Sequence, residues 1–444
     1  MVERNIDRIG NLGDGVVEAA NAETADGVPA AGPLFVPFGL PGETWAINDD
    51  GVATLITPAP DRATPLCQHF TICGGCRAQH MPSNMYAAWK RARIVDALAQ
   101  AQIVTPDGQD TRVLEPILSG RGTRRRAVLT ASRNTDGGGN DRARVAVGYY
   151  ARATHALIDI AHCPVWVPQL EAALPDLRAI AHLTAPKRGD LRITVLASET
   201  GLDVAVTGAD HDPDAEVRAQ LSGYAESAGI ARLLVNGRDV VQRAEPALTI
   251  DGVRLLVPPA TFVQATAKAE AAMINRVVTE TQGARAIADL FSGIGTFALA
   301  LSRGARITAY DSDTEAVDAM TRAHNHTQNR KPVEGVVRDL FREPLARKEL
   351  EPFDAVVFDP PRAGARAQAE QLAKSNVPTV VAVSCNPQTF ARDAKTLVDG
   401  GYEMGPVLPI DQFVFSEHVE LIAAFRKPSV GRKGGRRLSG RGRR

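Results

Sequence analysis

From about residue 259 to residue 428, short apolar runs alternate with amphipathic stretches, and this alternation restricts the fold more than any other feature of the chain. AIADLFSG precedes TFALALSRG, ARITAYDSD precedes TEAVDAMTRAHN, FDAVVFDPP precedes a polar helical stretch, and VPTVVAVSCNP follows. Repeated strand–helix alternation specifies an α/β fold, a mainly parallel, doubly wound sheet with helices on both faces. Ligands of such sheets bind beyond the carboxyl ends of the strands. The residues with chemical potential in this half of the chain fall at those ends.

A chain of 444 residues exceeds what a single core serves, so several domains are expected. Residues 1–62 are rich in Gly, Pro and short β-branched runs (GVVEA, PLFVPFGLPGE, GVATLIT), the pattern of small strands and tight turns in a five-stranded barrel. Residues 63–258 open with a cysteine cluster and continue with alternating strands (RRRAVLTASR, ARVAVGYYA, LRITVLASE), a central α+β domain. Residues 259–428 form the doubly wound sheet. Residues 429–444 belong to a basic, glycine-rich stretch starting at Arg426 and are expected to be a disordered tail attracted to polyanions.

Hydrophobic content of 44% beside 23% charge is that of a soluble globular chain, and no apolar run is long enough to span a bilayer. The start, MVERNIDRIG, has no apolar secretory signal, so the expected compartment is the reducing cytoplasm, where the five cysteines would not form disulfides. A formal net charge of zero does not by itself point to nucleic acid; the basic tail does. Nothing in the sequence requires a protein partner, and a monomer is expected.

In ADLFSGIGTFALA a strand ends at Asp289 and Leu290, a glycine turn follows, and a helix starts near Thr296. Gly293 and Gly295 would let the backbone approach a ligand that a Cβ excludes. Asp311 ends the next strand about twenty residues on, where a carboxylate can accept hydrogen bonds from both ribose hydroxyls. An adenosine-type cofactor follows, although the GxGxxA form also admits a dinucleotide. FDPPR places Asp359 at another strand end, with two prolines stiffening the backbone where a substrate would meet a transferred group. Together with a strand-end cysteine, this favours S-adenosylmethionine.

VVAVSCNPQTF sets Cys385 just after an apolar strand, in a turn made by Asn386 and Pro387. Most free cysteines are small hydrophobes, but one at the mouth of a nucleotide-binding sheet and flanked by turn residues can act as a nucleophile. Uracil supplies a reason for one. Its C5 cannot attack a sulfonium methyl until a nucleophile adds to C6, and after transfer the C5 proton must leave to a base. QFVFSEHVELIAAF offers Glu420 at the start of another apolar strand, with His418 two residues earlier; an apolar neighbourhood raises a carboxyl pKa toward that task.

Cys67, Cys73 and Cys76 form C-x5-C-x2-C, and Cys163 follows in AHCP. Four thiolates satisfy either a tetrahedral zinc or a four-iron cluster, and the spacing does not choose between them.

With these residues in place, the chain resembles the RNA uracil-5-methyltransferase family over essentially its whole length, in particular the iron–sulfur branch acting on 23S ribosomal RNA. SCNP and HVE are the most specific matches and imply Cys385 as nucleophile and Glu420 as base. The N-terminal block with LFVPFGLPGE resembles the TRAM domain, an RNA-binding barrel. The cysteines resemble the family's cluster set, which implies a [4Fe-4S] cluster on Cys67, Cys73, Cys76 and Cys163. TFVQATA resembles the family's Phe-x-Gln segment and implies that Gln264 contacts the cofactor. By the same matching Phe291, Thr296, Asp311, Asp339 and Asp359 would line the S-adenosylmethionine pocket. Thr296, Asp311 and Ser416 depart from the Asn, Glu and Thr usual there.

The implied activity is transfer of a methyl group to C5 of a uridine in RNA, with transfer RNA as the alternative substrate. A cytosine-5 enzyme would need a second cysteine where Arg362 follows the prolines, and an adenine amino-methyltransferase would want an aromatic there and no nucleophile. Two readings lie outside this chemistry: a nicotinamide-dependent iron–sulfur oxidoreductase, and an RNA-binding protein that has lost activity.

Overall fold

In the computed structural model, which describes residues 2–18, 32–48, 51–103, 112–133 and 145–428, the apolar runs of the second half form the middle of a nine-stranded sheet. Its strands are β1 (Ile117–Leu118), β2 (Ala286–Leu290), β3 (Arg306–Asp311), β4 (Val333–Val337), β5 (Ala355–Phe358), β6 (Thr379–Ser384), β7 (Glu403–Met404), β8 (Leu408–Asp411) and β9 (Glu420–Arg426). Their order is β4-β3-β2-β5-β6-β9-β8-β1, with β7 pairing to β9 off this path. The first five run parallel. Strand β9 is antiparallel to β6 and to β8, and β1 adds in parallel at the edge. The tail 429–444 expected to be disordered lies outside the described residues.

Successive side chains of a strand point to opposite faces, so a strand buried on both must be apolar throughout. Val381, Val383, Ile422 and Ala424 enter one core, while Val380, Ala382, Leu421 and Ala423 enter the other. Helices α2 (Ala267–Glu280), α3 (Thr296–Leu301) and α4 (Thr314–Asn325) cover the first face through Met273, Val277, Phe297 and Met320. Helices α5 (Arg366–Ala373) and α6 (Pro387–Asp399) cover the second through Leu372, Phe390 and Leu397.

Three segments from before residue 259 also serve this sheet. Helix α1 (Ser83–Gln100) buries Ile94, Ala97 and Leu98 on the second face. Strand β1 extends the edge, and a hairpin of Ala247–Ile250 and Val253–Leu256 buries Leu248, Ile250, Val253 and Leu255 in the first core. Their short apolar faces carry no local mark of which sheet they will cover. The remainder of the central block is a seven-stranded sheet with its own core, built around Leu129, Val147, Trp166, Ile193, Val204 and Leu233.

At the N-terminus, two three-stranded sheets share a bent first strand. Residues Val2–Asn5 pair with Thr44–Ile47, and Arg8–Ile9 pair with Gly15–Val16. Counted as one, this strand gives five in all around Ile6, Val17, Val36 and Trp45. The buried Glu43 accepts from Arg62, the Trp45 indole and the amides of Leu40 and Ala59, which closes the unit.

Candidate active site

Because β4, β3, β2, β5 and β6 run parallel, their carboxyl ends lie side by side. Just past those ends stand Asp339, Asp311 (the last residue of β3), Phe291, Asp359 and Cys385, in that order. Strand β9 runs the opposite way, so its first residue, Glu420, reaches the same edge. The last registered pair of β6 and β9 is Ser384↔Leu421. Continuing that register by one step sets Cys385 opposite Glu420, whose charge acts on the thiol. Thirty-four residues of intervening chain make no prediction of this opposition; the antiparallel register does.

The cofactor half is shaped by backbone strain. Phe291 has φ 60°, a left-handed conformation that non-glycine residues seldom adopt and that tends to mark functional turns. Gly293 has φ 52°, and a Cβ there would meet open space, so the turn leaves room for a ligand. Gly295 serves another purpose than the one expected. Its φ is 86°, and a Cβ would lie 2.4 Å from Met320 Cγ, so this glycine admits α4 rather than a ligand. Asp311 Oδ2 accepts the Gly293 amide at 2.7 Å and Oδ1 accepts the Asp313 amide at 2.9 Å. The carboxylate expected to meet a ribose therefore also holds the glycine turn, and each oxygen keeps a second lone pair. Thr296 is buried at the first turn of α3. Asp339 accepts the Phe341 amide at 3.0 Å, and the Phe341 ring lies 5.3 Å from Phe291.

The chemical half is a chain of buried polar groups. Gln264 Nε2 donates to Asp359 Oδ2 at 3.4 Å, and Gln412 Nε2 donates at 2.8 Å to both Gln264 Oε1 and Glu420 Oε1. Burial raises the pKa of Asp359, with Gln264 opposing. Burial also raises Glu420, and the charge of Asp359 adds to the effect. The Cys385 thiol is pushed up to about 11 by burial, then by Glu420 and Asp359, while Arg362 pulls it down. His418 is kept below its usual value by burial, with Glu417 opposing. Cys385 is presented by local geometry. The Asn386 side chain caps α6 by accepting the Gln388 amide, and Pro387 occupies the first turn, so the helix begins directly after the thiol.

Three polar residues of the site lay outside the expected set. Gln412 follows Asp411 at the end of β8. Asp289 is fully buried with neither oxygen hydrogen-bonded by side chains, and burial, then Asp359 and Asp311, raise its pKa well above normal against the nearby Ala298 amide. Lys90 on α1 is fully buried against Asp411 at 3.0 Å and donates to the His418 carbonyl. A polar residue within an apolar run was the only sequence signal for Gln412 and Asp289. Lys90, on α1, carried no such signal.

Cys67, Cys73, Cys76 and Cys163 come together, from two loops distant in sequence, around a cavity of about 190 Å³ that Tyr149, Arg124 and Gln79 also line. Burial raises Cys73, moves Cys76 to about 11 and Cys163 to about 12, and the neighbouring sulfurs add to each. Among the described residues no three cysteine, histidine or carboxylate side chains converge tightly enough to hold a single metal ion. No helix of the described residues is long and apolar enough to cross a membrane.

Comparison with known proteins places this architecture. The fold matches that of the Pyrococcus abyssi tRNA (uracil-54, C5)-methyltransferase, solved with S-adenosyl-L-homocysteine, at a TM-score of 0.71 and 21% identity over 96% of this chain and 100% of that one. Residues 248–427 match the model of the tRNA (uracil-5-)-methyltransferase family. An RNA methyltransferase of Rhizobium meliloti (strain 1021) is 41% identical over 95% of this chain and 98% of its own length. The 23S rRNA (uracil(1939)-C(5))-methyltransferase RlmD of Aeromonas hydrophila is 29% identical over 89% of this chain and 91% of its own. These likenesses define an RNA methyltransferase. More narrowly, the chain belongs to the family of S-adenosylmethionine-dependent RNA uracil-5-methyltransferases.

Proposed function

We propose that this enzyme methylates C5 of a uridine in 23S ribosomal RNA through a covalent adduct between Cys385 and C6 of the base. The observation that carries the reading is the facing pair Cys385 and Glu420 at the strand ends, with Asp359 and Gln264 hydrogen-bonded beside them. The likeness to the Aeromonas hydrophila ribosomal enzyme along most of the chain supports the RNA class.

The uridine is turned out of its stack to meet the sheet edge, since C5 and C6 are inaccessible within it. The Cys385 sulfur adds to C6 and the 5,6 electron pair moves toward the C4 carbonyl, making C5 nucleophilic. When bound, S-adenosylmethionine supplies an electrophilic methyl on a cationic sulfur. The residues around it are Gln264, Phe291, Thr296, Asp311, Asp339 and Asp359. Glu420 then takes the C5 proton, the 5,6 double bond re-forms, and the sulfur leaves C6 as thiolate. Burial makes Glu420 a stronger base, but it holds Cys385 as a thiol, so the thiol must first lose its proton to solvent, helped by the positive charge of Arg362, before the thiolate adds to C6.

Cys67, Cys73, Cys76 and Cys163 would hold a [4Fe-4S] cluster. Four sulfurs walling a cavity, without convergence on one point, fit a polynuclear cluster better than a lone zinc. Buried thiols with raised pKa become thiolates when a metal neutralises them, so the cluster would tie the two loops together. The five-stranded N-terminal unit would add RNA contacts as a TRAM-like barrel.

A second reading, transfer RNA as substrate, draws on the family description and on the archaeal fold match. One assay separates the two. The purified protein is incubated with S-adenosylmethionine and unmodified RNA carrying tritium at uridine C5, with ribosomal and transfer fractions apart. Tritium release from 23S RNA is expected; release from transfer RNA alone would move the assignment, and release from neither would overturn uridine-5 chemistry.

A further inference from the structure

Gln412 is fully buried, and all the hydrogen-bonding capacity of its amide nitrogen is used inside the site. Its Oε1 accepts the Ala265 amide at 2.8 Å, and its Nε2 donates to Gln264 Oε1 and to Glu420 Oε1. This orientation is forced. Turning the amide over would set its NH2 against the Ala265 N–H and its oxygen against both the Gln264 carbonyl and the Glu420 carboxylate. The backbone beside it is pinned from the other face of β8. Asp411 accepts from the Tyr86 hydroxyl at 2.7 Å and pairs with Lys90 at 3.0 Å. A continuous hydrogen-bonded path thus runs Glu420–Gln412–Gln264–Asp359, from the base to the strand end where the methyl donor is expected.

We propose that Gln412 is a positioning residue that keeps the Glu420 carboxylate ionised and turned with Oε2 toward the C5 proton, while Gln264 links it to the donor side of the pocket. The inference rests on Glu420 being the base. The reasoning is geometric: one oxygen of Glu420 is occupied by an N–H donor, which leaves the other as the acceptor, and a donor to a carboxylate favours its charged form. Other groups also act on Glu420. Asp359 beyond β5 raises its pKa, and Arg362 in the same loop and Lys90 on α1 lower it. Cys385 faces it from β6, and Glu417 and His418 precede it on its own loop. Among the described residues the hydrogen bond donated to it comes from Gln412 and from none of these.

Gln412→Met keeps the length of the side chain and removes the donor. Without it the pKa of Glu420 rises, so more of the enzyme holds a protonated, inactive base at a given pH. The full-length enzyme is assayed for tritium release from C5-labelled RNA across pH, and for covalent protein–RNA complex on denaturing gels. The expected result is an acid limb moved upward by about one pH unit, about a tenfold loss below the midpoint and recovery above it. The covalent complex should accumulate on the acid side, as it should for Glu420→Gln at every pH. A uniform loss at all pH values, or an unmoved midpoint, would overturn the proposal. Gln412→Asn, with a shorter amide, should move the midpoint the same way; if Gln412→Met does not fold, an unmoved midpoint in Gln412→Asn overturns it alone. Failure of Glu420→Gln to accumulate complex would instead refute the base assignment, whatever Gln412 does.

Discussion

Five cysteines divide between two regions built on opposite principles. Cys385 stands at the end of a buried strand whose neighbours are set by sheet register, and the polar groups near it are hydrogen-bonded to one another: Glu420 to Gln412, Gln412 to Gln264, Gln264 to Asp359. Cys67, Cys73, Cys76 and Cys163 stand on loops around a cavity, with raised pKa values at Cys73, Cys76 and Cys163 and other sulfurs as near neighbours. The first region is organised by the protein itself. The second brings four sulfurs around a cavity with few hydrogen bonds among its polar groups, so under the proposed function its ordering would come from a bound cluster. A site for fast chemistry benefits from the former, since preorganised groups need no rearrangement in the transition state.

This contrast breaks most severely at Cys385. Cys385→Ala should lower methyl transfer by about four orders of magnitude or more, with iron content and melting temperature unchanged. Appreciable residual turnover would remove the sheet site from covalent chemistry. Cys76→Ser or Cys163→Ser should act the other way, abolishing iron binding and visible absorbance while S-adenosylhomocysteine still binds the sheet. Each kcal/mol lost from the central unit should lower its melting temperature by about 2–4 °C. If these variants lost cofactor binding while keeping iron, the two regions would not be independent. The smallest effect concerns the tail. Deletion after Pro428 should flatten the salt dependence of RNA affinity and leave turnover at saturating RNA unchanged, because basic residues outside the site add counterion release without taking part in the chemistry. An unaltered salt slope would assign RNA binding to the folded units alone.

Much of the sheet was legible because its signals are local. An apolar run, a glycine turn and a following amphipathic stretch lie within about thirty residues of each other, enough to place β2, α3 and β3 and the strand-end positions of Asp311, Asp359 and Cys385. Gly295 shows where that reading goes astray: a GxG turn looks alike whether the second glycine admits a ligand or, as here, Met320 of a neighbouring helix. Helix α1 and the hairpin 247–256 were assigned by position in the chain to the central block. Their apolar faces, which sequence windows reveal, do not say which sheet will cover them.

The sequence alone determined the class of sheet and which residues stand at the ends of its strands, since apolar runs and turn residues dictate local conformation. Only the tertiary structure decided which groups meet. Cys385 faces Glu420 because β9 returns antiparallel beside β6. Gln412 bridges Glu420 to Gln264 because β8 lies on the far side of β9. Lys90 is buried because α1 crosses to reach Asp411. Hydrogen-bond partners and desolvation are properties of a place, and these places are assembled from residues more than three hundred positions apart, as Lys90 and Asp411 are.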